Sequence, residues 1–171
     1  ATAATVTNGG FEDGIKNWSY EEGKGLPPPG RISKQKPFTG KKCFIMTSPG
    51  KMNPRYICHR GLQIDRNKNY ILRFALSGRD LHKGSIKVRI LQYGAKKGKK
   101  SPVLGWAAPN RPGVHDLIPD LHGTFDWKVF EIKLSGASFN PKTQTAAVFF
   151  QHLKPGLGEL KIDAVSFEAV K

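Results

Sequence analysis

The sequence is short of acidic residues, cysteines and long apolar runs, and it lacks the short motifs of common enzymes. No run approaches the roughly 18 apolar residues that a membrane span requires. No segment has a convincing helical period, which excludes a coiled coil. The five histidines form no His-x-x-x-His pair, and the chain contains neither a Gly-x-Ser-x-Gly elbow nor a phosphate-binding loop. We therefore expect a protein without enzymatic activity.

The shortage of acidic residues leaves a strongly basic chain. Lys and Arg total 28 against 13 Asp and Glu, which gives a net charge of +15 and a pI near 10.0. Such a field favours an anionic partner, which could be nucleic acid, an acidic polysaccharide or an anionic membrane surface. The alternative is a basic surface that is merely solvated.

The composition indicates one folded, all-β domain over residues 1–171. Hydrophobic residues make up 38% of the chain and aromatic residues 10%, which is too much for a disordered protein. The 19 glycines and 12 prolines are normal for an all-β protein and high for a helical one. The length fits one domain at about 100–200 residues per domain.

Apolar and polar residues alternate with a period of two in several segments, which is typical of half-buried strands. The clearest are Tyr70–Ser77, Ser85–Tyr93 and Lys128–Leu134. Strands are also expected at Ala4–Thr7, Cys43–Thr47, Arg55–His59, Leu62–Ile64, Ala146–His152 and Leu160–Val170. This spacing predicts an all-β fold, a two-sheet antiparallel β-sandwich of the jelly-roll type. Glu21–Thr39 and Gly94–Gly123 lack a strand pattern and are expected to be loops.

The two cysteines lie in neighbouring predicted strands. If those strands form a symmetric hairpin around residues 48–54, Cys43 and Cys58 face each other across the ladder. Opposed residues in a non-hydrogen-bonded pair come close enough for a disulfide. A Cys43–Cys58 bridge and two free thiols remain equal alternatives.

Five motifs carry a family resemblance when taken in order. Asn8-Gly9-Gly10-Phe11-Glu12 with Trp18 opens the chain, and Leu160-Lys161-Ile162-Asp163-Ala164-Val165-Ser166-Phe167 closes it. Between them lie Gly40-Lys41-Lys42-Cys43-Phe44, Asn69-Tyr70-Ile71-Leu72-Arg73-Phe74 and Gly123-Thr124-Phe125-Asp126-Trp127. Together they resemble the carbohydrate-binding modules of families 4, 9, 16 and 22. The sequence departs from that pattern at Ala164, where a second Asp is usual, and in the insertion at 94–123.

The resemblance implies a jelly-roll sandwich with one concave face that binds polysaccharide and has no catalysis of its own. It also implies a structural calcium ion. Glu12 and Asp163 would supply carboxylates, and backbone carbonyls near Gly10 and Lys42 would complete the shell. The alternative is that Glu12 pairs with a neighbouring lysine and no ion is bound.

Sugars are recognised by aromatic rings and by planar polar side chains, and Arg adds a two-pronged contact to carboxylate or sulfate. Strand alternation places Arg73 on one strand and Arg89 and Tyr93 on the next, all pointing away from the core. The full set of expected ligand-binding residues is Arg73, Arg89, Tyr93, Gln151, Trp106, Tyr56 and His152. The alternative for the arginines is that their stems only cover one face of a sheet.

Other conspicuous residues carry weaker expectations. Trp18 and Trp127 are expected to pack near the sandwich edge and not to bind sugar. The run Lys96-Lys97-Gly98-Lys99-Lys100 is either a solvated loop tip or a basic overhang above the groove. Gln151-His152 is faintly similar to the neutralising pair of jelly-roll lyases, but the accompanying strand motifs of those enzymes are absent.

The leading hypothesis is a secreted, non-catalytic module of a larger bacterial carbohydrate-active enzyme. Its ligand would be an acidic glycan, either uronate-containing or sulfated, because the chain is so basic. One alternative is an accessory domain that packs on its parent enzyme without binding sugar. A basic nucleic-acid-binding domain is less favoured, because no known nucleic-acid motif is present.

Overall fold

The computed structural model describes residues 5–20, 28–47, 55–153 and 158–170, and in this part of the chain it is all-β. Within these ranges no helix is long and apolar enough to cross a membrane. The strands are β1 (Ser19–Tyr20), β2 (Gly30–Ser33), β3 (Cys43–Thr47), β4 (Arg55–Gln63), β5 (Asn69–Leu81), β6 (Ile86–Tyr93), β7 (Val103–Trp106), β8 (Gly123–Ser135), β9 (Thr145–His152) and β10 (Glu159–Ala169).

Two antiparallel five-stranded sheets form the predicted sandwich. The front sheet has the order β1-β4-β9-β6-β7, and the back sheet has the order β2-β3-β10-β5-β8. One hydrophobic core lies between them, and the Phe74 ring of the back sheet meets the Phe150 ring of the front sheet at 5.3 Å. Ile86, Val88 and Ile90 point into this core, as the alternation of β6 predicts.

Several predicted boundaries need correction. Residues 5–7 form no strand, and Ala4 lies outside the described residues. The expected loop at 21–39 contains β2, while its residues 21–27 are not described. The expected strands Arg55–His59 and Leu62–Ile64 are one strand, β4, whose register shifts between His59 and Leu62. The insertion at 94–123 is not structureless, since it contains β7.

The opening motif works as a close backbone contact between the two ends of the chain. The Val165 amide donates to the Gly9 carbonyl at 3.0 Å. A side chain on Gly9 would place its Cβ 1.8 Å from the Val165 carbonyl oxygen, so only glycine fits there. The Trp18 indole donates to the Asn8 carbonyl at 3.0 Å, and its ring stacks on Phe11 at 4.8 Å. Trp18 therefore packs in the core, as expected.

The hairpin expected between the cysteines does not form. β3 belongs to the back sheet and β4 to the front sheet, while residues 48–54 lie outside the described part of the chain. Cys43 pairs with Ser33, and Cys58 pairs with Ser19 and Phe149. Both are buried free cysteines on the outer sides of different sheets, which lie about 10 Å apart. This geometry does not permit a bridge.

We expect two free thiols that react only on unfolding. Burial raises the pKa of the Cys58 thiol to about 11, so the unreactive thiol form dominates at neutral pH. A maleimide reagent without reductant should add twice per chain in denaturant and slowly to the native protein. If the chain stayed unlabelled in denaturant and its mass matched that of the disulfide-bonded form, this assignment would be wrong.

Candidate functional site

Aromatic side chains cluster on the outer face of the front sheet. Because successive residues alternate between faces, the strands that fill the core also place Cys58, Ala147 and Phe149 on the outer side. The Phe149 ring lies at the centre, 5.0 Å from the Tyr56 ring and 5.2 Å from the Trp106 ring. Tyr93 packs against the same cluster. We call Tyr56, Tyr93, Trp106 and Phe149 the aromatic platform.

The structure brings five of the seven expected ligand-binding residues together on this face. Tyr56, Tyr93 and Trp106 form the platform with Phe149, and all three are half-buried, so part of each ring stays accessible. Arg89 pairs with Phe149 across β6 and β9, and its guanidinium lies 5.7 Å from the Trp106 ring centre. Gln151 follows two residues after Phe149 on the same side of β9, beside Tyr56 and Lys87.

Arg73 is not part of this group. We expected β5 and β6 to be neighbours, but the chain crosses from the back sheet to the front sheet between them. Arg73 therefore lies on the outer face of the back sheet, where its Nε donates to Glu131 at 2.9 Å. Alternation correctly predicts that Arg73 points away from the core, but it cannot tell which of the two sheets holds the strand.

His152 is also not on the platform. Counting along β9, Val148, Phe150 and His152 point inward, so His152 is 3% exposed. Burial, with a smaller contribution from His82, lowers the pKa of its imidazole. Gln151 and His152 therefore point to opposite sides of the sheet, which removes the similarity to a lyase pair.

The insertion carries a carboxylate to the edge of the platform. Asp116 accepts from Lys87 Nζ at 2.8 Å and from Arg89 Nε at 2.9 Å. Partial burial works against ionisation of Asp116, but the hydrogen bonds from Lys87 and Arg89 lower its pKa overall. The segment is held in place because the Leu117 amide donates to the Val88 carbonyl at 3.0 Å and the Leu117 side chain is buried.

The lysine run lies beyond the Tyr93 end of the platform. Lys97 and Lys100 exchange backbone hydrogen bonds of 2.7 and 3.2 Å around a tight turn. A hollow of about 500 Å³ lies beside it, and its walls include Lys97, Leu104 and Lys142. The run is thus an ordered turn at one end of the front sheet.

Arg60 is on the same face, although it is not among the residues expected to bind a ligand. It sits in a bulge of β4, where Gly61 has a φ of +79° and the register shifts. Its guanidinium lies 5.8 Å from the Tyr93 ring centre and 5.7 Å from the Phe149 ring centre, and it donates to the Tyr93 hydroxyl. The available signal was Gly61, which interrupts an otherwise strand-like run.

The outer face of the back sheet is crossed by the loop of residues 34–42. This loop leaves β2 at one edge of the sheet, and its Lys36 carbonyl accepts from the Trp127 indole on β8, at the other edge. The Phe38 ring lies 5.8 Å from the Trp127 ring. Trp127 thus packs at the sandwich edge, as expected. The loop therefore interrupts this face, and two hollows of about 640 and 260 Å³ remain on the back sheet, lined in part by Ile71 and Lys133 and by Ile45 and Lys161.

The four residues expected at a calcium site come together under this loop. Glu12 Oε1 accepts from the backbone amides of Lys41 and Lys42 at 2.8 and 3.1 Å. Asp163 Oδ2 accepts from the amides of Phe38 and Thr39, and Gly10 lies directly beside the Asp163 carboxylate. The Lys42 ammonium donates to the Glu12 backbone carbonyl at 2.8 Å, not to the Glu12 carboxylate.

The donor chemistry at this position fits calcium. Asp163 is fully buried, and burial raises the pKa of its carboxyl, with the nearby Glu12 charge acting in the same direction. A cation would be favoured beside the buried Asp163 carboxylate and the nearby exposed Glu12 carboxylate, and calcium accepts mixed carboxylate and backbone oxygens. No group of three or more His, Cys, Asp or Glu side chains suited to a metal occurs among the described residues. Backbone carbonyls or water would have to complete the shell.

Comparison with solved structures identifies the fold. The chain is similar to a structure described as family 16 carbohydrate-binding module 2, with a TM-score of 0.62 and 13% identity over 95% of this chain and 98% of that one. It is also similar to the CBM22-1 xylan-binding domain from Paenibacillus barcinonensis Xyn10C, with a TM-score of 0.57 and 10% identity over 98% and 94% of the chains. The chain therefore has the β-sandwich fold of carbohydrate-binding modules.

The same fold also occurs in an enzyme. A cyclase from Fischerella sp. TAU matches with a TM-score of 0.62 and 13% identity over 99% of this chain and 98% of that one. No protein-family model matches the sequence, and neither does any curated protein. Function must therefore be argued from the site and not from the fold.

A buried histidine supports the bulge that carries Arg60. The Thr7 amide donates to His59 Nε2 at 3.1 Å, and His59 Nδ1 lies 3.0 Å from the Arg60 carbonyl. Nε2 must therefore be unprotonated, with the ring proton on Nδ1. Burial lowers the pKa of His59, while its two backbone hydrogen bonds act in the opposite direction.

Folding should weaken in mild acid because of this histidine. In the unfolded chain His59 protonates near a pKa of about 6.5, while the folded chain keeps it neutral, so the unfolded state binds more protons below that pH. The Tm should fall between pH 7.5 and 5.5, and His59→Gln should reduce this fall without removing it, because His152 contributes with the same sign. His122→Gln, at an exposed position, serves as the control. Equal pH slopes in all three proteins would contradict the assignment.

Proposed function

We propose that this domain binds polysaccharide on the outer face of the front sheet and has no catalytic role. The observation that carries the proposal is the aromatic platform, in which the half-buried rings of Tyr56, Tyr93 and Trp106 surround the buried Phe149. Arg60, Arg89 and Gln151 border it. Ring faces match the apolar faces of sugars, and planar polar groups bind their hydroxyls. Gln151 places its planar amide on the same side of β9 as Phe149, beside Tyr56 and Lys87.

The ligand we propose is an acidic glycan. The net charge of +15 attracts polyanions in general. Three cationic side chains, Arg60, Lys87 and Arg89, lie around the aromatic platform, against the single carboxylate of Asp116. An arginine fork also suits a planar carboxylate. As a wider role we propose a module of a secreted bacterial enzyme, which the domain would hold on its substrate.

Two alternatives would use the same features. An accessory domain would use the rings and arginines of this face as contacts to its parent, and no polysaccharide would then retain it. A nucleic-acid binder would use the same charge, and a gel shift with DNA and RNA tests it, with a steep salt dependence expected if it were correct.

Replacing the Trp106 ring tests the platform. Trp106→Ala should lower polysaccharide affinity roughly tenfold, because the variant loses a stacking surface worth about 1 kcal/mol or more. Affinity electrophoresis against neutral and acidic polysaccharides at several salt concentrations measures the effect. Acidic polymers should retain the wild type more strongly, and added salt should weaken that retention.

Trp127→Ala is the matched control, since it removes a half-buried tryptophan from the back sheet. Its retention should equal that of the wild type once the Tm shows that both variants are folded. Absence of retention of the wild type by every polymer would contradict the proposal. Equal losses in both variants would contradict the location of the site.

We also propose that Glu12 and Asp163 hold a structural calcium ion together with backbone carbonyls near Gly10 and Lys42. The support is the buried carboxylate of Asp163 and the nearby, exposed carboxylate of Glu12, both of which contact the loop of residues 34–42. When bound, the ion would balance their charge and tie three segments together. Its role would be stability and not sugar binding.

Calcium should raise the Tm relative to a chelator. An ion present at about a hundredfold excess over its Kd stabilises by about 2.7 kcal/mol, which corresponds to roughly 5–10 °C for a chain of this size. Asp163→Asn should abolish the gain, while Asp13→Asn, an exposed neighbour of Glu12, should keep it. Differential scanning calorimetry provides the measurement. No calcium shift in the wild type, or the same shift in both variants, would rule out this site.

A further inference from the structure

The bulge in β4 directs the Arg60 guanidinium toward the aromatic platform and holds it there. Tyr56 and Cys58 point outward and His59 points inward, so Arg60 points outward at the start of the register shift. Bulges commonly redirect a side chain next to a binding site. On the inner side of the sheet, His59 Nδ1 donates to the Arg60 carbonyl, and this contact holds the backbone of the bulge.

The side chain of Arg60 is held by aromatic groups. Its guanidinium carbon is 5.8 Å from the Tyr93 ring centre and 5.7 Å from the Phe149 ring centre, and one terminal nitrogen donates to the Tyr93 hydroxyl. These contacts fix the plane of the guanidinium without neutralising its charge. No carboxylate pairs with Arg60 among the described residues, and the residue is exposed.

The two other cationic side chains beside the aromatic platform are partly neutralised by a carboxylate. Lys87 and Arg89 share the Asp116 carboxylate at 2.8 and 2.9 Å. Arg89 uses its Nε in this contact, so the edge of the fork that includes Nε is already occupied. An anion that approached this end would also meet the negative charge of Asp116. The charge available to a ligand is therefore concentrated at the Arg60 end.

We propose that Arg60 is the residue that selects uronate-containing chains over neutral ones, with the sugar carboxylate bound by its guanidinium at the Tyr93 end of the platform. The proposal rests on the proposed function and goes further by naming the charged group that is recognised and the residue that recognises it. A planar carboxylate matches the arginine fork in a two-pronged contact.

The test compares one polymer in two forms. Polygalacturonic acid and its carboxyl-reduced, neutral form have the same linkages, so a difference in retention reports the carboxylates alone. Arg60→Gln should weaken binding of the acidic form roughly tenfold to a hundredfold, the range for losing a hydrogen bond to a charged group. Binding of the reduced form should stay within about twofold, because the rings remain. Arg60→Lys should recover only part of the loss, since an ammonium keeps the charge without the fork.

Arg31→Gln is the matched control, because it removes the same charge from an exposed position on the back sheet. It should leave both forms bound as in the wild type. Asp116→Asn is a second, independent variant that should strengthen binding of the acidic form severalfold, because it frees Lys87 and Arg89. Folding of each variant is checked by its Tm.

The outcomes distinguish failure of the proposed function from failure of the Arg60 proposal. If the wild type binds neither form nor any other polysaccharide, the proposed function fails. If it binds sugar but Arg60→Gln and Arg31→Gln lose equal affinity for the acidic form, the general field of the protein explains the preference and the Arg60 proposal is wrong. The proposal is also wrong if Arg60→Gln weakens binding of both forms equally. It is wrong, too, if the wild type binds a sulfated polymer more tightly than polygalacturonic acid and Arg60→Lys binds that sulfated polymer as tightly as the wild type does.

Discussion

The arrangement of the candidate site depends on one strand that is apolar on both faces. In β9 the side chains of Val148 and Phe150 enter the core, while Ala147 and Phe149 are buried on the opposite, outer side. A strand at the centre of an antiparallel sheet with one solvated face would normally place polar residues on that side. Phe149 must instead be shielded from solvent, and Tyr56, Tyr93 and Trp106 pack against it from neighbouring strands. The platform thus follows from a packing requirement, and its partly exposed rings are the consequence that a ligand can use.

The two outer faces of the sandwich differ because of what crosses them. On the back sheet, Asp163 binds the amides of Phe38 and Thr39, and this holds the loop across the strands. The buried carboxylate therefore shapes the surface as well as joining the ends of the chain. On the front sheet the insertion lies along the edge beside β6 and contributes Asp116 without covering the rings. The loop thus interrupts the outer face of the back sheet, whereas Tyr56, Tyr93 and Trp106 stay partly exposed on the front sheet.

Much of the fold could be predicted from alternation, because period two is a local property that the backbone imposes. The inward positions of β6 follow from it. Sheet membership is not local, so Arg73 was assigned to the wrong sheet and a hairpin was expected between the cysteines. His152 illustrates a different difficulty: the continuous apolar run at 146–150 carries no alternation, so the sequence could not decide which side of β9 faces inward. Arg60 was missed because its bulge divides one strand into two apparent pieces.

The distribution of charge also changes how the basic composition should be interpreted. A net charge of +15 describes attraction at a distance, where the many exposed lysines and arginines act together and salt screens them. Selectivity at contact depends on which charge lacks a partner. Arg73 is paired with Glu131, and Arg89 and Lys87 are paired with Asp116. Arg60 is held instead by two aromatic rings and the Tyr93 hydroxyl. Because aromatic contacts orient a guanidinium without supplying a counter-charge, the Arg60 guanidinium is held in place and faces no carboxylate among the described residues.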